Sequence, residues 1–124
     1  MNKKEKQRLA KRARLFRKQR KERGWDDRDT WSLDSTIAKF VLPRLKRFKE
    51  VNCGYPVKLN SPKEDIDSEK GMTKWNEILD HMIYAMEICS DEEFYYGGSL
   101  KKKEWKRVDK GCKLFGKYFQ NLWW

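Results

Sequence analysis

The sequence has a single histidine and three cysteines, and it lacks any long apolar run. One histidine leaves no spare base for a serine or cysteine triad, and neither a phosphate-binding glycine loop nor an HExxH motif is present. The cysteines are odd in number and far apart, which argues against disulfides and against a zinc site. We therefore expect a non-enzymatic protein with reduced thiols and with no cofactor or metal.

Membrane-spanning and secretion signals are also missing. No stretch approaches the roughly 18 consecutive apolar residues that cross a bilayer, and no apolar core of a signal peptide follows the positively charged start. We expect no membrane partner and a cytoplasmic location. A chain of 124 residues suits one small domain.

Charge is distributed unevenly along the chain. Twelve of the 30 Lys and Arg residues but only two of the 19 acidic residues lie in the first 24 positions, so this segment carries +10 of the net +11. We divide the chain into a basic arm, residues 1–24, helical or disordered, and a small helical domain, residues 25–124. The arm is either a solubilising or assembly segment or a handle for nucleic-acid phosphates. The residues predicted to bind a polyanion are Lys11, Arg12, Arg14, Arg17, Lys18 and Arg20.

Apolar residues recur at helical spacing in three segments of the domain, so the predicted fold is all-α with three main helices. The helices span about 31–51, 72–88 and 100–122. Pro43 removes a backbone donor inside the first of them, which predicts a kink or a break there. A long loop is predicted over 52–71, with a short extended piece at its start, Tyr55 to Leu59.

The last helix is expected to mediate assembly. Its predicted apolar stripe comprises Trp105, Val108, Cys112, Phe115, Phe119 and Leu122. Gly116 falls on the same stripe, where a missing side chain would let another helix approach closely. Trp123 and Trp124 follow, and we expect them to pack on this domain or on a neighbouring subunit, because an exposed tryptophan pair forms an apolar patch. These features predict a helical homo-oligomer.

Arg44 projects onto the apolar face of the 31–51 helix at about 100° per residue, between Ile37 and Phe40. A guanidinium buried there needs a partner, because an unpaired buried charge is strongly disfavoured. An acid could pair with it, and the candidates are Asp26, Asp27 and Asp29; alternatively, the Pro43 kink could turn it into water. In the functional alternative, Arg44 binds a phosphate together with Lys39 and Arg47.

Aromatic residues near these cations could stack on a nucleobase. The predicted stacking residues are Trp31, Tyr55 and Tyr84. In the structural alternative, Trp25 and Trp31 complete the core from its N-terminal side. His81 lies beside Tyr84 on the outer helix face, where a lone histidine is usually solvated.

Four segments carry a resemblance to known proteins: WDDRDTWSLDSTIAKFVLPRLKRFKE, GYP, WNEILDHMIYAMEI and LFGKYFQNLWW. With them the chain resembles a widespread group of short phage-encoded proteins, most without an assigned activity. The basic arm lies outside this similarity. The chain is also similar to phage immune-evasion sponges, small helical oligomers that sequester the cyclic oligonucleotide signals of antiviral systems such as CBASS.

The sponge resemblance implies a symmetric oligomer in the cytoplasm of an infected bacterium, with a cyclic dinucleotide held between subunits and no chemistry performed. Arg44 and Arg47 would then bind phosphates, and Trp31 or Tyr55 would stack on bases. The alternatives are a nucleic-acid-binding accessory protein that uses the arm, and a structural or host-protein-binding factor. Small-ligand binding should require Arg44 or Arg47 and survive loss of the arm, whereas nucleic-acid binding should require the arm.

Overall fold

A computed structural model describes residues 1–60 and 68–124 of the chain. The predicted all-α class is confirmed for these residues, which contain no β-strand. The described part of the chain has six helices, four of them long. They are α1 (Lys3–Arg23), α2 (Arg28–Trp31), α3 (Leu33–Val51), α4 (Ser68–Ser90), α5 (Glu92–Tyr96) and α6 (Lys102–Lys117), with 3-10 turns at Val57–Leu59 and Phe119–Asn121.

The core lies where α4 packs between α3 and α6. The apolar residues of α4 recur every three or four positions, so one side of the helix is fully covered; it carries Trp75, Leu79, Met82, Ala85, Met86 and Cys89. Trp75 is at the centre of an aromatic cluster, with its ring edge-on to Phe48 at 6.5 Å and to Tyr118 at 5.6 Å between centroids. The predicted 72–88 helix is confirmed, and it extends from Ser68 to Ser90.

α3 is continuous through Pro43 and does not break into two helices. Its buried positions are Ser35, Ala38 and Leu45, and the Ser35 hydroxyl donates to the Cys89 carbonyl of α4 at 2.6 Å. The predicted apolar face is therefore partly wrong. Ile37 and Phe40 are 46% and 59% exposed, because α4 covers the opposite side of the helix.

α6 ends at Lys117, and the last turn is 3-10, Phe119–Asn121, so the predicted helix to 122 is too long. The close helix contact occurs at Gly111 and not at Gly116. A Cβ on Gly111 would meet the backbone carbonyl of His81 and the Cβ of Ala85, whereas a Cβ on Gly116 would have no tertiary neighbour within 4 Å in the described part of the chain. Trp105 and Phe119 of the predicted stripe are also exposed.

The segment after α3 differs from the predicted loop in two places. The extended piece predicted at Tyr55 to Leu59 is instead partly a 3-10 turn, Val57–Leu59. Residues 68–71 of the predicted 52–71 loop belong to the first turn of α4, and positions 61–67 lie outside the described residues.

α1 is a regular helix although it has no buried residue. The Asn2 side chain caps its first turn by accepting from the Glu5 amide at 2.9 Å. Gly24 ends it at φ 83°, a left-handed conformation that costs glycine little, and the Gly24 amide donates to the Arg20 carbonyl. Arg20, Lys21 and Arg23 lie in the last turn, where cations complement the helix dipole.

Candidate nucleic-acid interface

The C-terminal turns of α1 are held to α2 by a set of polar contacts that we call the junction. Its centre is Asp26, which is fully buried. Arg20 Nε donates to Asp26 Oδ2 at 2.6 Å, and Arg28 donates to the same carboxylate from Nη2 at 2.8 Å and from Nε at 3.0 Å. The hydrogen bond from Arg28 lowers the pKa of Asp26 well below its usual range, and the bond from Arg20 adds to this. The carboxylate is therefore charged and paired on both sides.

Asp27 makes a second set of contacts to α1. Gln19 Nε2 donates to Asp27 Oδ2 at 2.8 Å, and the Asp27 amide donates back to Gln19 Oε1 at 2.9 Å. Arg23 Nη2 also donates to Asp27 Oδ1, at 2.8 Å. The pKa of Asp27 is lowered, first by the bond from Gln19 and then by the bond from Arg23. Two adjacent acids thus bind three residues of α1, which holds this end of the helix to the domain.

Aromatic contacts complete the junction. The rings of Phe16 and Trp31 meet edge to face at 5.8 Å, and the Arg12 guanidinium lies 5.4 Å from the centre of Trp31. Arg28 lies 4.6 Å from the centre of Phe16. Trp31 is 61% exposed, so the expectation that it joins the core is wrong, and Trp25 is also exposed. Both tryptophans lie outside the core because α1 extends away from it and leaves this end of the domain open.

The six predicted polyanion-binding residues of the arm differ in whether another side chain already engages them. Arg20 is engaged by Asp26, Arg12 stacks on Trp31, and Lys18 Nζ lies 3.9 Å from the Glu22 carboxylate. The other three are exposed and form no ion pair within the part of the chain that the structure describes. They are Lys11, Arg14 and Arg17.

Arg44 is on the solvent side of α3 and not between buried apolar residues. Its guanidinium lies 3.7 Å from the centre of the Phe40 ring, and Nη1 donates to the Phe40 carbonyl at 2.8 Å. The acids that were candidates to pair with Arg44 are used elsewhere, since Asp26 and Asp27 bind the arm. Arg44 is exposed because α4 covers another side of α3, and not because the helix breaks at Pro43.

Arg44 and Arg47 lie together on the wall of an open surface groove. The groove is lined by Pro43, Arg44, Arg47, Phe48, Val51, Leu122, Trp123 and Trp124. Arg47 Nη1 forms an ion pair with Glu50 Oε2 at 3.1 Å, whereas Arg44 forms none with any described residue. Two guanidinium groups therefore share one surface with two tryptophans.

The other predicted ligand residues do not join Arg44 and Arg47 in this groove. Lys39 pairs with Glu92 at 3.2 Å, and Trp31 is at the junction. Tyr84 is half-buried against the core, with the Arg107 guanidinium 3.7 Å from its ring centre. Tyr55 donates to Asn60 Oδ1 at 2.9 Å, and its ring covers Gly71.

Tyr55 is nevertheless close to the groove, because it lines a second cavity of about 250 Å³ that also contacts Trp123 and Trp124. These two tryptophans line both the cavity and the groove and are each 74% exposed. The expectation that they pack on this domain is therefore wrong, and packing on a neighbouring subunit stays a prediction. They were not predicted as ligand residues, although a pair of adjacent tryptophans beside two arginines is the signal that could have identified them.

His81 is half-buried and not on a solvated face. Its Nδ1 is buried and has no hydrogen-bond partner among the described residues, and burial lowers the pKa of His81, with the nearby charge of Lys110 adding to the effect. Within residues 1–60 and 68–124, no three His, Cys, Asp or Glu side chains are grouped as a metal site would require.

The chain matches no protein-family model, and no curated protein or solved structure is similar to it at a significant level. In the described ranges, no helix is both long enough and apolar enough to span a bilayer.

Proposed function

We propose that this protein binds nucleic acid through α1, by contacts to phosphates that do not depend on base sequence. The observation that carries the proposal is a helix of 21 residues that holds all twelve cations of the arm and buries no residue. At 1.5 Å per residue the helix is about 31 Å long, and a helix of this width fits the major groove of a duplex. Binding is driven by release of the counterions that phosphates hold.

The junction supports this function because it presents the helix in one orientation. A basic segment that is already helical and fixed at one end loses less conformational entropy on binding than a flexible one. The contacts that fix it use Arg12 and Arg20 but leave Lys11, Arg14 and Arg17 for phosphates. The proposed binding surface is therefore the side of α1 that faces away from the junction.

The test compares two variants with the same loss of charge. In the arm variant, Lys11, Arg14 and Arg17 are changed to Gln; in the control, Lys102, Lys103 and Lys106 of α6, which are also exposed, are changed to Gln. Affinity for a fluorescent DNA duplex is measured by anisotropy at several salt concentrations. Each phosphate contact contributes about 0.9 to the slope of log K against log salt, so the arm variant should lose roughly 2–3 units of slope.

The control should keep its slope within about one unit, because its lysines are not proposed to contact phosphates. An equal loss in both variants would mean that net charge alone attracts the duplex. Unchanged binding in the arm variant would remove α1 from the interface.

A second candidate function is the sequestration of a cyclic dinucleotide by an oligomeric phage protein. The observation that favours it is the groove, where Arg44 and Arg47 could bind phosphates beside Trp123 and Trp124. The exposed outer side of α6, with Trp105, would provide the contact between subunits. This candidate takes its ligand class from the resemblance to sponge proteins.

Thermal shift of the full chain against a panel of cyclic dinucleotides tests the second candidate. A ligand at 100 times its Kd should stabilise the fold by about 2.7 kcal/mol, and Arg44→Gln should abolish the shift. Absence of a shift with every cyclic dinucleotide, in a folded protein, would eliminate this candidate.

A further inference from the structure

One side of α3 faces solvent from Leu33 to Arg47. Its residues are spaced by three or four positions and project within a narrow arc, at about 100° per residue. They are Leu33, Ile37, Phe40, Arg44 and Arg47, all exposed. We call this set the α3 stripe. It changes from apolar near the start of the helix to cationic near its end.

The α3 stripe connects the two candidate binding features of the molecule. It begins directly after α2, whose Trp31 contacts the arm, and it ends at the groove beside Trp123 and Trp124. Leu33 and Arg47 are fourteen positions apart, which corresponds to about 21 Å of helix. A single flexible strand that passes around the junction could therefore contact the arm, the stripe and the tryptophan pair.

Charge indicates which kind of ligand suits this surface. Arg44 has no acidic partner among the described residues; its guanidinium lies 3.7 Å from the centre of the Phe40 ring, and the residue is exposed. A second copy that docked through the same stripe would set its own Arg44 and Arg47 against these cations, which is unfavourable. The complementary ligand is an anion that also has flat apolar faces.

We propose that the α3 stripe and the groove bind unpaired bases of single-stranded nucleic acid, while α1 holds the adjoining phosphates. This inference rests on the proposed function of α1 and adds a preference for single strands. Bases stack on exposed aromatic rings and on guanidinium planes without regard to sequence. Trp123 and Trp124 supply the aromatic rings. The guanidinium group of Arg44 can stack on a base with its planar face or bind a phosphate with its two parallel N–H donors.

The experiment uses the full chain and two fluorescein-labelled DNAs, an oligothymidine strand and a duplex of the same length. Trp123 and Trp124 are changed together to Ala, with Phe119→Ala as the matched control, because Phe119 is 61% exposed but does not line the groove. Stacking contributes about 1–3 kcal/mol per base, so the double variant should bind the single strand roughly 5- to 150-fold more weakly. Its affinity for the duplex and the behaviour of Phe119→Ala should be unchanged.

Arg44→Gln gives a second readout. It should weaken binding of oligothymidine more than binding of the duplex, because the duplex has no unpaired base for the stripe. Thermal melts verify that each variant is folded, which is expected since the altered side chains are exposed.

Several results would overturn the inference. One is equal weakening of single-strand and duplex binding by the tryptophan change, and another is no weakening of either. Sedimentation that shows a wild-type dimer and a monomeric double variant, with unchanged DNA binding, would assign the surface to a second copy. If the arm variant still binds duplex normally, the function proposed for α1 fails instead, so the two failures are distinguishable.

Discussion

Gly111→Ala should destabilise the protein although alanine is the better helix former. The substitution gains about 1 kcal/mol of helix propensity in the middle of α6. The added methyl group, however, would meet the His81 carbonyl of α4 and come within 2.6 Å of the Ala85 Cβ. Carbon atoms in contact are normally about 3.5–4.0 Å apart, so α4 and α6 must separate by about 1 Å.

The cost is large because the obstructing oxygen belongs to the backbone of a buried helix and cannot rotate away. Overpacking typically costs about 1–3 kcal/mol, and a backbone obstacle places this site near the upper end. After subtracting the gain in propensity, Gly111→Ala should lower the free energy of unfolding by about 1–2 kcal/mol. For a domain of this size that corresponds to a Tm about 5–15 °C lower.

Gly116→Ala is the matched control, because it makes the same chemical change in the same helix and no tertiary neighbour from residues 1–60 or 68–124 lies within 4 Å of the new Cβ. It should raise the free energy of unfolding by about 0.5 kcal/mol. Urea unfolding, followed by far-UV circular dichroism and tryptophan fluorescence, measures both variants. A Gly111→Ala protein as stable as the wild type would refute the close helix contact, and destabilisation by Gly116→Ala would refute the exposure of that position.

Three further predictions concern buried groups. Ser35→Ala removes a fully buried hydroxyl that donates to the Cys89 carbonyl, and it should lower the free energy of unfolding in urea by about 1–2 kcal/mol. Thr73→Ala, at an exposed hydroxyl, should change this free energy by less than about 0.5 kcal/mol. The pKa of Asp26 is lowered in the folded state, so its contribution to stability is present above about pH 4 and is lost as the pH falls. In thermal melts, Asp26→Asn should therefore reduce the decrease of Tm at acidic pH. Burial raises the pKa of Cys89 to about 11. Iodoacetamide should therefore label the exposed Cys53 in the native protein, whereas Cys89 should react only after unfolding. Mass spectrometry measures the labelling, and equal labelling of both cysteines would contradict the burial of Cys89.

Local pattern predicted the helices better than it predicted their buried faces. The 72–88 helix was recognisable because its apolar residues occupy one side and its polar residues the other. α3 is different, since apolar residues are present on both its buried and its exposed sides. Periodicity then predicts a helix but does not identify which side α4 covers. Ile37 belongs to the predicted apolar face and Phe40 marks its edge, yet both are exposed and Ser35 is buried.

The candidate site could be predicted only in part for a related reason. Arg44 and Arg47 are one turn apart on α3, so their proximity follows from helix geometry alone. Their position beside Trp123 and Trp124 depends on how α6 and the 3-10 turn after it lie against α3. Trp31 and Tyr84 were grouped with the arginines by residue type, and nothing in the spacing of the sequence could have separated them.

The sequence by itself determined the division of charge between arm and domain, the helical class and the approximate helix ranges, because these depend on residues within a few positions of one another. The tertiary structure decided which glycine admits a neighbouring helix, which aromatic residues stay exposed and which carboxylates hold the arm. Those outcomes depend on contacts between residues far apart in the chain, such as Ser35 with Cys89, 54 positions away. The net charge of the arm is readable from composition, whereas its orientation depends on the fully buried carboxylate of Asp26.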